Sequence, residues 1–124
     1  LKYSARGEAM VRSLVYNGEI LAEVYIADTF LKRFSGYMFR KKPHYEAILF
    51  NPCNSIHTFF MKFSIDVLFL DEQMRVIKKL ESLQAGKIIM PIEKAQMVIE
   101  GKSGLFKKVE LGNKLLVKNN LQEE

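Results

Sequence analysis

The sequence predicts a small, mainly β domain of the α+β class, and three observations carry that prediction. Its apolar fraction of 48% is weighted toward nine Phe, five Tyr and many branched aliphatics with no Trp, side chains that suit a pleated, half-buried surface. Apolar residues alternate with period two in several short runs, and Asn-Gly, Pro and single glycines punctuate those runs. With 124 residues, 27% of them charged, the chain has the size and composition of one globular domain spanning residues 1–124.

Asn17-Gly18 divides Val11 to Tyr16 from Glu19 to Ala27, and that dipeptide readily takes the positive φ angles of a two-residue hairpin turn. In the second arm Ile20, Ala22, Val24 and Ile26 share one face, which is assigned to the core. Asp28 or Thr29 then offers an N-cap, Phe30, Leu31 and Phe34 a helical stripe and Gly36 a C-terminal stop, so a short helix is expected over Thr29 to Ser35. Arg40-Lys41-Lys42-Pro43 is a basic turn, because proline lacks an amide donor and keeps the preceding residue out of the helical region.

Strands follow at Ala47 to Phe50, Ile56 to Phe60 and Ile65 to Leu70, and Met74 to Leu80 returns as a hairpin after Asp71-Glu72-Gln73. Glu81 to Ile92 has no clear period and is expected to wrap the surface. Ala95, Met97 and Ile99 alternate with Gln96, Val98 and Glu100. Ser103 is placed as the cap of one helical turn near the C-terminus, and Leu115 to Val117 closes the sheet.

Several function classes are disfavoured. Charged residues interrupt every apolar run well short of the roughly 18 residues a membrane helix needs, so no membrane partner is expected. Leu1-Lys2-Tyr3-Ser4-Ala5-Arg6 does not continue into the apolar stretch of a secretory signal, although residue 1 is not Met and a trimmed leader stays open. Cys53 is the sole cysteine, so no intrachain disulfide forms, and a cytoplasmic location is the expectation. The formal charge of +5 favours anionic partners, with the basic residues spread along the chain.

Three segments stand in order: Gly36-Tyr37-Met38-Phe39-Arg40, Ile48-Leu49-Phe50, and the long run from Ile56 to Asp71 that contains Phe59-Phe60-Met61-Lys62 and Ile65-Asp66. Together they resemble the family called domain of unknown function 192. Its members typically show Gly-Leu-Met-Phe-Arg, an apolar Leu-Phe strand, Phe-Trp-Met-Lys followed by Ile-Asp and Phe, and a late Gly before the final strand. The resemblance covers most of Glu23 to Val117, with Tyr37 in place of the usual Leu and Phe60 in place of the usual Trp. Phe63-Ser64 stands where many members carry Asn and Thr or Pro. The resemblance implies a compact β barrel or curled antiparallel sheet with a helical crossover, and it implies no function, since fold alone does not assign one.

Arg40, His57, Met61, Lys62 and Asp66 form the candidate ligand-binding set. If Ile56, Thr58 and Phe60 face the core, strand alternation turns His57 and Met61 outward beside Lys62 and Asp66. The set suits a small polar or anionic ligand or a protein segment. The competing structural reading makes Asp66 and Arg40 an ion pair or partners of turn amides, and Met61 packing.

Cys53, His57 and Asp66 are the residue types of nucleophile, base and orienting acid, so a Cys-His hydrolase or thiol-dependent transferase is the enzymatic alternative. No oxyanion-hole motif accompanies them, and a lone cysteine is more often a small buried hydrophobe. Cys53, His57, Asp66 and His44 are too few for a closed zinc site of Cys and His, so no metal and no cofactor are expected. Arg40-Lys41-Lys42 with Tyr37, Phe39 and Tyr45 matches no nucleic-acid-binding signature, leaving only weak electrostatic binding on that side.

Overall fold

In the computed structural model, which describes residues 11–27 and 36–119, the apolar runs become strands β1 (Val11–Tyr16), β2 (Glu19–Ala27), β3 (Ala47–Phe50), β4 (Ile56–His57), β5 (Ile65–Leu70), β6 (Val76–Leu83), β7 (Ile88–Ile89), β8 (Met97–Lys102) and β9 (Leu116–Lys118). The β1–β2 hairpin turns on Asn17 and Gly18 at φ 52° and 80°, the positive angles that this dipeptide tolerates. Ala22 and Val24 are buried as expected, whereas Ile20, beside the turn, is exposed.

Seven strands form one sheet in the order β6-β5-β8-β3-β2-β1-β9, and β4 pairs with β7 as a separate two-stranded piece. Strands β3 and β5 are buried along their whole length, and β8 is buried except at Lys102. That placement explains why β3 and most of β5 read as apolar runs, whereas β8, read from the sequence as alternating, is buried on both faces. Leu49, Leu68, Leu70 and Ile99 point to one face, where Phe106, Val109 and Leu115 cover them. Ile48, Phe50, Val67, Phe69 and Val98 point to the other, where Tyr37 and Met61 are packed in and Ile56 and Ile89 of the small sheet lie against them.

Three expectations are corrected. The sheet is open and not a closed barrel: β6 and β9 are its edges, and the segments leading into them meet where Arg75 bridges Lys114, where Val76 and Gly112–Asn113 exchange backbone hydrogen bonds and where Leu115 N–H donates to Met74 O. It is also mixed, because β2 and β3 run parallel. A parallel pair needs a crossover of a dozen residues or more, and the segment between Ala27 and Ala47 supplies it. The helix expected over Thr29 to Ser35 lies outside the described residues.

No helix forms among the described residues, so the C-terminal helical turn is also revised. Residues 102–109 make successive tight turns, closed by Leu105 N–H to Lys102 O, Lys107 N–H to Gly104 O and Val109 N–H to Phe106 O. Ser103 does not act as a cap there; its hydroxyl sits 3.1 Å and 3.2 Å from those of Ser64 and Ser82. These turns press onto the sheet at Gly101, where an added Cβ would lie 2.7 Å from Leu105 Cδ2 and 2.9 Å from Phe106 Cζ. Gly101→Ala is therefore expected to lower the denaturant midpoint by the equivalent of about 1–3 kcal/mol, the usual range for overpacking. An unchanged midpoint would show that the turn yields freely.

Candidate functional site

Three segments converge on the side of the small sheet: residues 36–40, β4 with the turn after it, and β7 with Met90 and Pro91. Tyr37 anchors the first. Its ring is buried edge-on to Phe63, at a centroid distance of 5.4 Å, and its hydroxyl donates to Tyr45 O at 2.9 Å. Burial, with Glu100 and then Glu46 adding repulsion, pushes that phenol well above its ordinary titration range. With Tyr37 inserted, Met38 and Phe39 are turned outward.

Thr58 anchors the second segment and ends β4 after only two residues. Its backbone N–H donates to Lys87 O at 2.8 Å, and its carbonyl accepts from Gly86 N–H at 2.9 Å. The hydroxyl donates to Gln84 O at 2.7 Å and accepts from Lys87 N–H at 2.8 Å. This buried threonine binds the 84–87 loop so completely that the chain turns, and the strand expected over Ile56 to Phe60 stops at His57. Alternation breaks with it. His57 stays at the surface, but Met61 turns into the core under the second face, contrary to the outward position that unbroken alternation implied.

The turn projects aromatic rings. Phe60 and Phe39 hold φ angles of 65° and 66°, a region that bulky side chains rarely occupy. Phe39 N–H donates to Phe60 O at 2.9 Å, and the two rings stack at 5.1 Å with 22° between their planes. His57 stacks on Phe59 at 5.3 Å, and its Nδ1 accepts from Phe59 N–H at 3.2 Å. In β7, Ile88 faces His57 across the pair and Ile89 faces Ile56. The result is a cleft of about 540 Å³ walled by Met38, Ile56, His57, Phe59, Phe60, Ile88 and Met90, with Ser55, Ile89 and Pro91 completing it. Phe39, Phe60, Ile88 and Met90 are 65%, 63%, 59% and 70% exposed, an apolar concentration unusual for surface side chains.

Its surroundings are cationic. Arg40, Lys41 and Lys42 follow Phe39, Lys62 lies two residues beyond Phe60 and Lys87 precedes Ile88, all of them exposed. Residues 36–45, 54–63 and 84–92 contain no Asp or Glu. Arg40, with partial burial the larger cause, also holds the His44 imidazole below its ordinary pKa.

Of the sequence-derived candidates, the structure brings His57 into the cleft and Arg40 and Lys62 onto segments that form it. Met61 is beneath the surface and Asp66 is elsewhere. Asp66 alternates with Ile65 and Val67, so its buried carboxylate points to the opposite face of the main sheet, where it accepts from Ser82 N–H at 2.9 Å and Gly104 N–H at 2.8 Å. Cys53 is half-buried against the second cluster; its thiol donates to Ser55 O at 3.1 Å and its backbone N–H to Gln96 O at 2.9 Å. His44 packs on Tyr45 and Tyr37. Among the described residues, no group of three or more His, Cys, Asp or Glu is arranged to hold a metal ion, and no helix is long and apolar enough to cross a membrane.

Sequence reasoning missed the exposed rim and one buried acid. The rim had a signal: Ile88-Ile89-Met90-Pro91-Ile92 is apolar within a stretch of no regular period, as a surface patch would be. The acid is Glu100 in the interior strand β8, next to Ile48 and Val67 and near Gly36, where an added Cβ would sit 3.6 Å from Oε1. Desolvation pushes its carboxyl up to about 8, which leaves it neutral at physiological pH beneath the turn that carries Met38 and Phe39.

Relatives share this chain's sequence and its fold. The model of the domain of unknown function 192 family, described as Uncharacterized ACR, matches residues 14–117. A UPF0127 protein of Pyrococcus horikoshii is 43% identical, covering 75% of this chain and 85% of that protein. One of Pyrococcus abyssi is 42% identical, covering 75% and 84%. Among solved structures, a protein of unknown function from Novosphingobium aromaticivorans superposes with a TM-score of 0.68 at 16% identity, covering 86% of this chain and 83% of that one. A putative transcription regulator from Sinorhizobium meliloti superposes with a TM-score of 0.71 at 21% identity, covering 86% and 91%. At these identities the two structures establish the fold alone. The family model spans nearly all of the described strands, and the archaeal relatives agree with it: this chain belongs to the domain of unknown function 192 family, whose members have no assigned activity.

Proposed function

We propose that this chain is a non-catalytic binding domain and that the cleft beside the small sheet is where it holds an apolar group. The observation that carries the reading is the pair Phe39 and Phe60. Both are large, both are mostly exposed, and both are held at positive φ, an arrangement that costs on the order of 1–3 kcal/mol at each residue. Backbone strain that serves only to display two rings to water has no folding rationale, whereas a recognition surface explains it. The methionines and isoleucines around the rings add an adaptable apolar lining of the kind found at binding surfaces.

Fluorescence of the neutral apolar dye N-phenyl-1-naphthylamine tests the reading. Wild-type protein is expected to enhance it saturably. The double variant Phe39→Asn with Phe60→Asn removes both rings and substitutes a residue that accepts positive φ readily, so it should bind the dye at least about tenfold more weakly. Its thermal midpoint should be equal to or higher than that of the wild type, because the strain is relieved. Equal dye binding by both proteins would remove the cleft as the site.

A further inference from the structure

Resting on that reading, we infer that the cleft's occupant is a protein segment in which large apolar side chains are flanked by carboxylates. Charge is the first argument. The three segments that build the site carry Arg40, Lys41, Lys42, Lys62 and Lys87 and no acidic residue, although the whole chain holds 14 Asp and Glu. Segments of this charge favour an anionic partner over a cationic one, most strongly where water is partly excluded.

Shape and lining separate a peptide from other anions. Of the rings in the wall, Phe60 stacks on Phe39 and Phe59 stacks on His57, so each has one ring face already covered, and the rest of the wall is mainly aliphatic, from Met38, Ile56, Ile88 and Met90. Nucleic-acid bases need open, flat ring faces to stack on. Leu, Ile or Phe side chains need a concave aliphatic wall, which is what the cleft presents. A cleft of about 540 Å³ admits only a few side chains at once. An apolar cleft built from segments that carry only cationic charge therefore matches a short segment with acids next to its apolar anchors.

Fluorescence anisotropy with two short labelled peptides tests the inference, both with the same Leu/Phe core, one flanked by glutamates and one by lysines. The glutamate peptide should bind at least about fivefold more tightly, and that advantage should shrink as salt is raised from about 50 to about 300 mM. The charge-reversed variant Lys62→Glu with Lys87→Glu should invert the preference, while Lys118→Glu on the distant edge strand β9 should leave it unchanged. Equal affinity for the two peptides overturns the inference, as does tighter binding of oligo-thymidine or of phosphatidylglycerol vesicles than of the glutamate peptide. If the neutral dye binds and the peptides are not distinguished, only the partner assignment fails. If the dye does not bind either, the binding-domain reading fails with it.

Discussion

Raising the pH from about 5 to about 9 is expected to destabilise the wild-type protein, and Glu100→Gln is expected to remove most of that dependence. Glu100 titrates near 4.5 in an unfolded chain and is pushed up to about 8 in the fold by burial alone. Between those values the unfolded chain has released the proton that the folded chain still holds, so the unfolded state binds fewer protons and stability falls as pH rises. At roughly 1.4 kcal/mol per pH unit between the two titrations, the loss approaches about 4 kcal/mol, a large share of a small domain's total stability.

His44 works in the opposite sense over the acid side of this range. Its folded pKa is lowered, so the unfolded chain takes up the proton first as pH falls, and that contribution rises with pH toward neutrality. The wild-type minus Glu100→Gln difference cancels it and isolates Glu100. Urea midpoints at a series of pH values measure the difference; parallel profiles for the two proteins would mean that Glu100 is not held neutral by its surroundings. The carboxyl sits close to the segment that displays Phe39, so dye binding followed over the same pH series reports whether ionisation there also loosens the cleft.

Asp66→Ala is expected to cost about 3–5 kcal/mol and to leave apolar-dye binding unchanged in protein that remains folded. The carboxylate accepts from two backbone amides, Ser82 N–H and Gly104 N–H. Bonds to a charged acceptor are worth about 1.5–3 kcal/mol each, and two are lost together. The position is a structural joint. Ile65 pairs with Leu83 and Val67 with Leu80, so Glu81 and Ser82 together oppose Asp66, and the bulge places Ser82 at φ 51°. Asp66 ties that bulge to the turn at Gly104, locking the end of β6 to the end of β8. Asp66→Asn retains one acceptor oxygen and should fall between the wild type and the alanine variant in urea midpoint. A loss of dye binding in folded Asp66→Asn would return this residue to the functional site.

What the sequence determined by itself is local. Asn17-Gly18 dictated the first hairpin, and the apolar runs at 47–50 and 65–70 dictated buried strands, because turn geometry and side-chain patterning act over a few residues. The order of the Gly36–Arg40 and Phe59–Lys62 elements was enough to place the family. Arg40, His57 and Lys62 could be picked out as candidates because polar groups beside aromatic ones stand out in a string, and of the three only His57 lines the cleft.

What tertiary structure alone decided depends on partners far along the chain. The turn after His57 exists because Thr58 bonds Gln84, 26 residues later, and this is why alternation failed to place Met61. Asp66 was drawn away from the cleft by Gly104, 38 residues later. Glu100 followed an alternating polar position in its own strand, yet β8 lies inside the sheet between β5 and β3, where residues from distant segments cover both faces. No local pattern encodes which strands become neighbours, and on that choice rest the burial of these side chains, the neutral state of Glu100 and the outward display of two strained rings.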